Sequence, residues 1–135
     1  MDELTRRLNL ARRAVRTLDE VLKHPKTDIV RDAAIQRFEY SYETAWKAAQ
    51  CFLRERHGLE TNSPTAAIRS SHAVRLLDEA GARLALQMVQ DRNLTVHTYN
   101  EKLAEDIFAK LAGYAALLTA WLGAMEAAAT GPGAA

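Results

Sequence analysis

The fold this chain predicts is all-α, an antiparallel bundle of about five helices. Apolar residues recur at three- and four-residue steps through most of its length, no segment alternates like a strand, and only short breaks separate the helical stretches. In the first helix Leu4, Leu8, Ala11, Val15, Leu18 and Leu22 form one apolar stripe. His24-Pro25 ends it, because the proline ring disfavours a helical residue before it. A long second helix starts near Asp28 and carries Val30, Ala34, Phe38, Tyr42, Ala45, Trp46, Ala49, Phe52 and Leu53. It closes near His57-Gly58, where glycine can turn left-handed. Ser63-Pro64 reads as an N-cap and first-turn proline opening a short third helix through about His72. A fourth, from about Leu77 to Arg92, sets Ala80, Leu84 and Met88 on one side. The last helix follows an expected capping box, Thr98-x-x-Glu101, with Leu103, Ile107, Leu111, Tyr114, Leu118, Trp121, Leu122 and Met125 as its apolar face.

Length and composition agree with that reading. The 135 residues suffice for one domain, expected over residues 1–127, with a fraying small-residue tail over 128–135. Hydrophobic residues at 48% and charged residues at 26% are the balance of a soluble globular protein. No segment approaches the roughly 20 uninterrupted apolar residues of a membrane span, and the N-terminus lacks the pattern of a secretory signal. One cysteine, Cys51, excludes an internal disulfide and fits the cytoplasm. Net charge is +1, yet Arg6, Arg7, Arg12, Arg13 and Arg16 crowd the first helix, as a solvated face or a phosphate-attracting rim.

The chemistry concentrates in Asp91-Arg92-Asn93-Leu94-Thr95-Val96-His97-Thr98-Tyr99. An arginine holds a phosphate with a bidentate fork and keeps its charge. A histidine titrates near neutrality and can move protons. Together they supply charge stabilisation and acid–base chemistry for cleaving a phosphodiester without a metal. On regular helix, side chains five residues apart would point about 140° apart. A break between the fourth and last helices is what would let Arg92 and His97 reach one cleft, with the last helix's N-terminal amides nearby. The plainer alternative is that Arg92 caps a helix end and His97 closes a turn.

Other candidates are weaker. Glu39, Tyr42 and Trp46 share a face of the second helix, and Glu43 to Lys47 is spaced as an i,i+4 ion pair. Tyr42 and Trp46 read as core or dimer-interface aromatics ahead of base-stacking platforms. Glu39, a carboxylate on the apolar side, needs a partner, and Arg92 is the expected one. Cys51 sits among Ala49, Phe52 and Leu53 without a histidine to activate it. His24, His57 and His72 fall at helix ends. No pair of residues has the spacing of a structural zinc site, and no glycine-rich phosphate loop is present, so neither a metal nor a cofactor is expected.

The segment Arg92-Asn-Leu-Thr-Val-His97-Thr-Tyr99 resembles the Arg-x4-6-His-x-Tyr signature of the HEPN superfamily, small helical proteins found beside minimal nucleotidyltransferases in prokaryotes. The stretch from Arg31 through Phe38, Glu39, Tyr42, Trp46 and Lys47, with Ser63-Pro64, is similar to one branch, the nucleotidyltransferase substrate-binding proteins related to HepT toxins. The resemblance spans nearly the whole chain apart from its tail. It implies a homodimer whose Arg-x4-6-His segments face each other across a shared cleft. It implies a metal-independent endoribonuclease toxin leaving a cyclic phosphate, with His97 as acid–base group, Arg92 holding the phosphate and Asn93 orienting His97 or donating a hydrogen bond. RNA would be the substrate. Tyr99 matches the residue that partner nucleotidyltransferases adenylylate in related toxin–antitoxin pairs. The alternative of another class is a non-catalytic subunit presenting a substrate, or its own Tyr99, to a separate nucleotidyltransferase.

Overall fold

The computed structural model describes residues 1–130, and among them every regular element is helical. Helices run over Glu3–Leu22 (α1), Asp28–His57 (α2), Pro64–Ala73 (α3), Glu79–Leu94 (α4), Glu101–Phe108 (α5) and Leu111–Thr130 (α6), with a 3₁₀ turn at Thr95–His97 between α4 and α5. The antiparallel bundle is therefore present, with six α-helices where about five were expected.

Polar side chains start each of the first four helices. The side chains of Asp2, Thr27, Ser63 and Asp78 accept from Thr5, Val30, Ala66 and Gly81 amides respectively, satisfying donors that have no partner inside the helix. Gly58, at φ +65°, closes α2 in the left-handed conformation that glycine adopts without steric cost. Asp78 places the start of α4 at Glu79, slightly later than the apolar pattern suggested. Its buried face is accordingly Ala82, Ala85, Met88 and Asp91, while Ala80 is exposed and Leu84 half-buried.

Two expectations about the last helix fail. Its N-cap is Asn100, whose Oδ1 accepts from the Leu103 amide at 3.1 Å. Thr98 instead donates back to the Thr95 carbonyl at 2.9 Å, so the Thr98/Glu101 capping box does not form. The helix also breaks at Ala109-Lys110, where the Lys110 amide bonds Ile107 in 3₁₀ fashion before α6 begins. Buried Ala104, Ile107, Leu111, Tyr114 and Leu118 keep three- and four-residue steps across that break, which is why periodicity does not show it.

The long α1/α2 hairpin is the frame, and Arg54 near the end of α2 meets Glu3 at the start of α1. α6 packs on both of these helices and on α4, burying Tyr114, Leu118, Trp121, Leu122 and Met125. By length and composition α6 alone among the described helices is apolar enough to cross a membrane; Thr119 and Glu126 interrupt its apolar run, and here its buried face lines the bundle core. Its final residues include Glu126, which takes Arg12 in an ion pair at 2.5 Å. The expected tail begins inside this helix, and positions 131–135 lie outside the described residues.

Glu43 and Lys47 do not pair. Trp46 Nε1 donates to Glu43 Oε2 at 3.2 Å, and Lys47 Nζ lies 4.6 Å from the Trp46 ring centre. The indole between them takes both charges, one by its N–H and one by its π face. Tyr42 and Trp46 are buried core residues.

Candidate functional site at the α4–α5 corner

α4 ends at Leu94, and the chain turns through Thr95–His97 before α5 starts at Glu101. Thr95 makes this corner. Its hydroxyl is buried, donates to the Arg92 carbonyl at 2.7 Å and lies 3.1 Å from Glu39 Oε2. Arg92 Nη1 donates to Thr95 Oγ1 at 2.9 Å and pairs with Glu39 Oε2 at 3.2 Å. The expected Glu39–Arg92 contact is therefore present, both side chains are about one-third exposed, and a threonine joins them.

His97 is exposed and faces a different neighbour. Its Nδ1 lies 3.2 Å from the Tyr99 hydroxyl, and the rings meet edge to face at 5.8 Å. If the hydroxyl donates, Nδ1 is the bare nitrogen and Nε2 carries the proton. Tyr99 is 82% exposed, with Val96 and Leu94 also open to solvent. Asn93 is exposed and is not the partner of His97. The histidine also lies in the 3₁₀ turn before α5, and the Asn100 side chain already takes the Leu103 amide at that helix's N-terminus.

Arg92 and His97 are thus each tied to a different residue, Glu39 and Tyr99 respectively. A depression of about 340 Å³ is lined by Asp32, Ile35, Gln36, Glu39, Thr98 and Tyr99. Neither Arg92 nor His97 lines it, but their partners Glu39 and Tyr99 do. Its charged lining is carboxylate: Asp32 is held by Arg31 at 3.0 Å, just as Glu39 is held by Arg92. That lining repels a bare phosphate, and the arginines beside it are already engaged by its carboxylates.

Two supports behind the corner were not legible in the sequence. Arg31, buried near the start of α2, bonds Glu105 Oε1 at 2.9 Å and fixes α5 against α2. Its hydrogen bonds to Glu105 and Asp32 hold the guanidinium charged, while Lys26 first and Arg31 second hold the Glu105 carboxyl below its ordinary range. Asp91, also buried, accepts from Tyr114 Oη at 2.5 Å and from Lys110 Nζ at 3.1 Å. Burial, then the Asp91 bond, raises the Tyr114 phenol above its ordinary value. An aspartate preceding the arginine on a helix carries no sequence sign that it points inward.

Cys51 does not join the site. Its buried thiol donates to Glu55 at 2.8 Å, and burial followed by that carboxylate pushes its pKa up to about 12, far from a reactive thiolate. Among the described residues no three His, Cys, Asp or Glu side chains converge as a metal site.

Comparison with known proteins then places the chain. Residues 6–127 match the family model described as nucleotidyltransferase substrate binding protein like. The chain belongs to that family. Its fold is shared by a crystal structure of a protein from Thermus thermophilus, at a TM-score of 0.82 and 52% identity over 85% of this chain and 98% of the other. No curated protein matches it. For this nucleotidyltransferase substrate-binding-like chain, the family name suggests association with a nucleotidyltransferase, and it carries no statement about ribonuclease activity.

Proposed function

We propose that this chain is the binding subunit of a separate nucleotidyltransferase and that the α4–α5 corner presents Tyr99 to it as a nucleotide acceptor. The observation that carries the reading is the exposed Tyr99 hydroxyl 3.2 Å from His97 Nδ1, in a chain of this family. The phenol needs to lose its proton to attack, and the adjacent nitrogen is in hydrogen-bond reach to take it. In the transfer, a bond forms between the Tyr99 oxygen and the α-phosphorus of a nucleoside triphosphate, the bond to the β-phosphate breaks, and pyrophosphate leaves. The proton goes to His97. The triphosphate and its activation belong to the partner enzyme. Exposed Leu94 and Val96 flank the acceptor and suit contact with a protein surface.

Co-expression with the nucleotidyltransferase from the same organism tests this. The chain should co-purify with it and gain the mass of one nucleotidyl unit on Tyr99. Tyr99→Phe should abolish the gain, and His97→Ala should slow it by about 10²-fold, the usual order for a lost proton acceptor. No co-purification and no mass gain would rule the reading out.

A second reading has one observation in its favour, the solvent-open His97 one turn from Arg92. In it, His97 assists a ribose 2′-hydroxyl and Arg92 holds the phosphate at a cleft shared by two copies. The carboxylate lining weighs against it. Purified chain incubated with RNA in chelator should therefore behave like His97→Ala and Arg92→Ala. Cleavage by the parent that both variants lose would favour the nuclease over the binding subunit.

A further inference from the structure

On the outer face of α1, where it meets the C-terminal half of α6, an open groove of about 620 Å³ shares no residue with the corner depression. Arg6, Asn9, Arg12, Arg13, Arg16 and Glu126 line it. Arg6, Asn9, Arg13 and Arg16 follow one another at three- and four-residue steps, so they share a face of α1 over about 15 Å. Arg12 is anchored there by Glu126 through both Nε and Nη2. The other three arginines are exposed, and none of them has an ion pair among the described residues. Four guanidiniums therefore face one carboxylate in a protein whose net charge is only +1.

We infer that this groove docks the phosphodiester backbone of single-stranded nucleic acid without regard to sequence. The cations are all guanidinium, whose planar fork matches phosphate oxygens two at a time. They are spread as a line, which suits a chain of phosphates better than a single one. Among the described residues no aromatic ring lines the groove to stack a base, so a site for one mononucleotide lacks its specificity element while a backbone-tracking groove does not need one. The Arg12–Glu126 pair holds the centre of the line rigid, and the three unpaired arginines release counterions when a strand binds.

Anisotropy of a labelled oligothymidylate, titrated with the full chain at about 50 mM salt and again at higher salt, measures this without interference from cleavage, since the strand lacks 2′-hydroxyls. The triple variant Arg6→Gln, Arg13→Gln, Arg16→Gln should bind at least about tenfold more weakly, with a log–log salt slope shallower by about 2 for three lost phosphate contacts. Its helicity and melting should match the parent, because all three side chains are exposed and glutamine keeps the helix. A control with the same charge change elsewhere, Lys23→Gln, Arg69→Gln, Arg83→Gln, should bind as the parent does. The assignment is overturned if the parent does not bind, if the control weakens equally, or if ATP or polyglutamate at matched charge displaces the strand as well as unlabelled strand does. Displacement by ATP would make the groove a mononucleotide surface, and displacement by polyglutamate an acidic-protein surface.

Discussion

Replacing Trp121 by alanine should cost about 3–5 kcal/mol, the usual range for deleting a large buried ring. Trp121 is wholly inaccessible and sits in α6, the helix that packs on α1, α2 and α4 at once. Its indole N–H also donates to Ser71 Oγ at 3.1 Å, and Ser71 is equally buried in α3. The loss therefore has two parts: a cavity in the bundle core, and a serine hydroxyl deprived of its donor. Trp121→Phe separates them. It keeps most of the ring and should cost about 1–3 kcal/mol, the range for a buried polar group left unpaired. Urea unfolding of the three proteins measures both numbers. Equal costs for the two substitutions would mean that the hydrogen bond, and not the ring's volume, dominates, and would contradict this account.

The second large effect is expected at Asp91. Asp91→Ala removes the acceptor of the buried Tyr114 hydroxyl, whose ring stacks at 5.5 Å on Phe38 in the core. We expect a loss of about 2–3 kcal/mol, chiefly the penalty of the orphaned phenol. Lys110 adds little, since its half-exposed amine can return to solvent. Asp91→Ala with Tyr114→Phe should be more stable than Asp91→Ala alone, because no polar group is then stranded. If the double variant instead shows the sum of the two single losses, the two side chains are not coupled as described. Asp91 immediately precedes Arg92, so Asp91→Ala should also loosen the corner. In the co-expression experiment it should reduce labelling of Tyr99 without abolishing it.

The helices and most of their boundaries were legible because local signals mark them. Thr27, Ser63 and Gly58 act where their residue types predict, and the α1 and α2 stripes face the core as spaced. The misreadings occur where two local signals compete. Thr98 and Asn100 are both good N-cap residues, and the backbone turn at Thr95–His97 decides for Asn100. Glu43 is spaced for Lys47 but finds the Trp46 indole N–H, which the helix holds closer. The turn after α3 holds Arg75 at φ 67°, a conformation usually marked by glycine, so no residue type announced it. At the site, the Glu39–Arg92 contact could be expected from a carboxylate lacking a partner. The role of Thr95 as the bridge between them could not, since a threonine in a turn has many uses.

By itself the sequence determined the all-helical bundle, the grouping of Arg92, His97 and Tyr99 on one short segment, and the arginine face of α1. Those are properties of spacing, and helical geometry converts spacing into faces without help from the rest of the chain. Only the tertiary structure decided what each charged group meets. Arg92 turns to Glu39 on α2, His97 turns to Tyr99, Asp91 goes inward to Tyr114, and Arg12 is taken by Glu126 while Arg6, Arg13 and Arg16 have no ion pair among the described residues. Each of these pairings except His97 with Tyr99 joins residues far apart in the sequence, and packing, not local propensity, brings such residues within hydrogen-bonding distance.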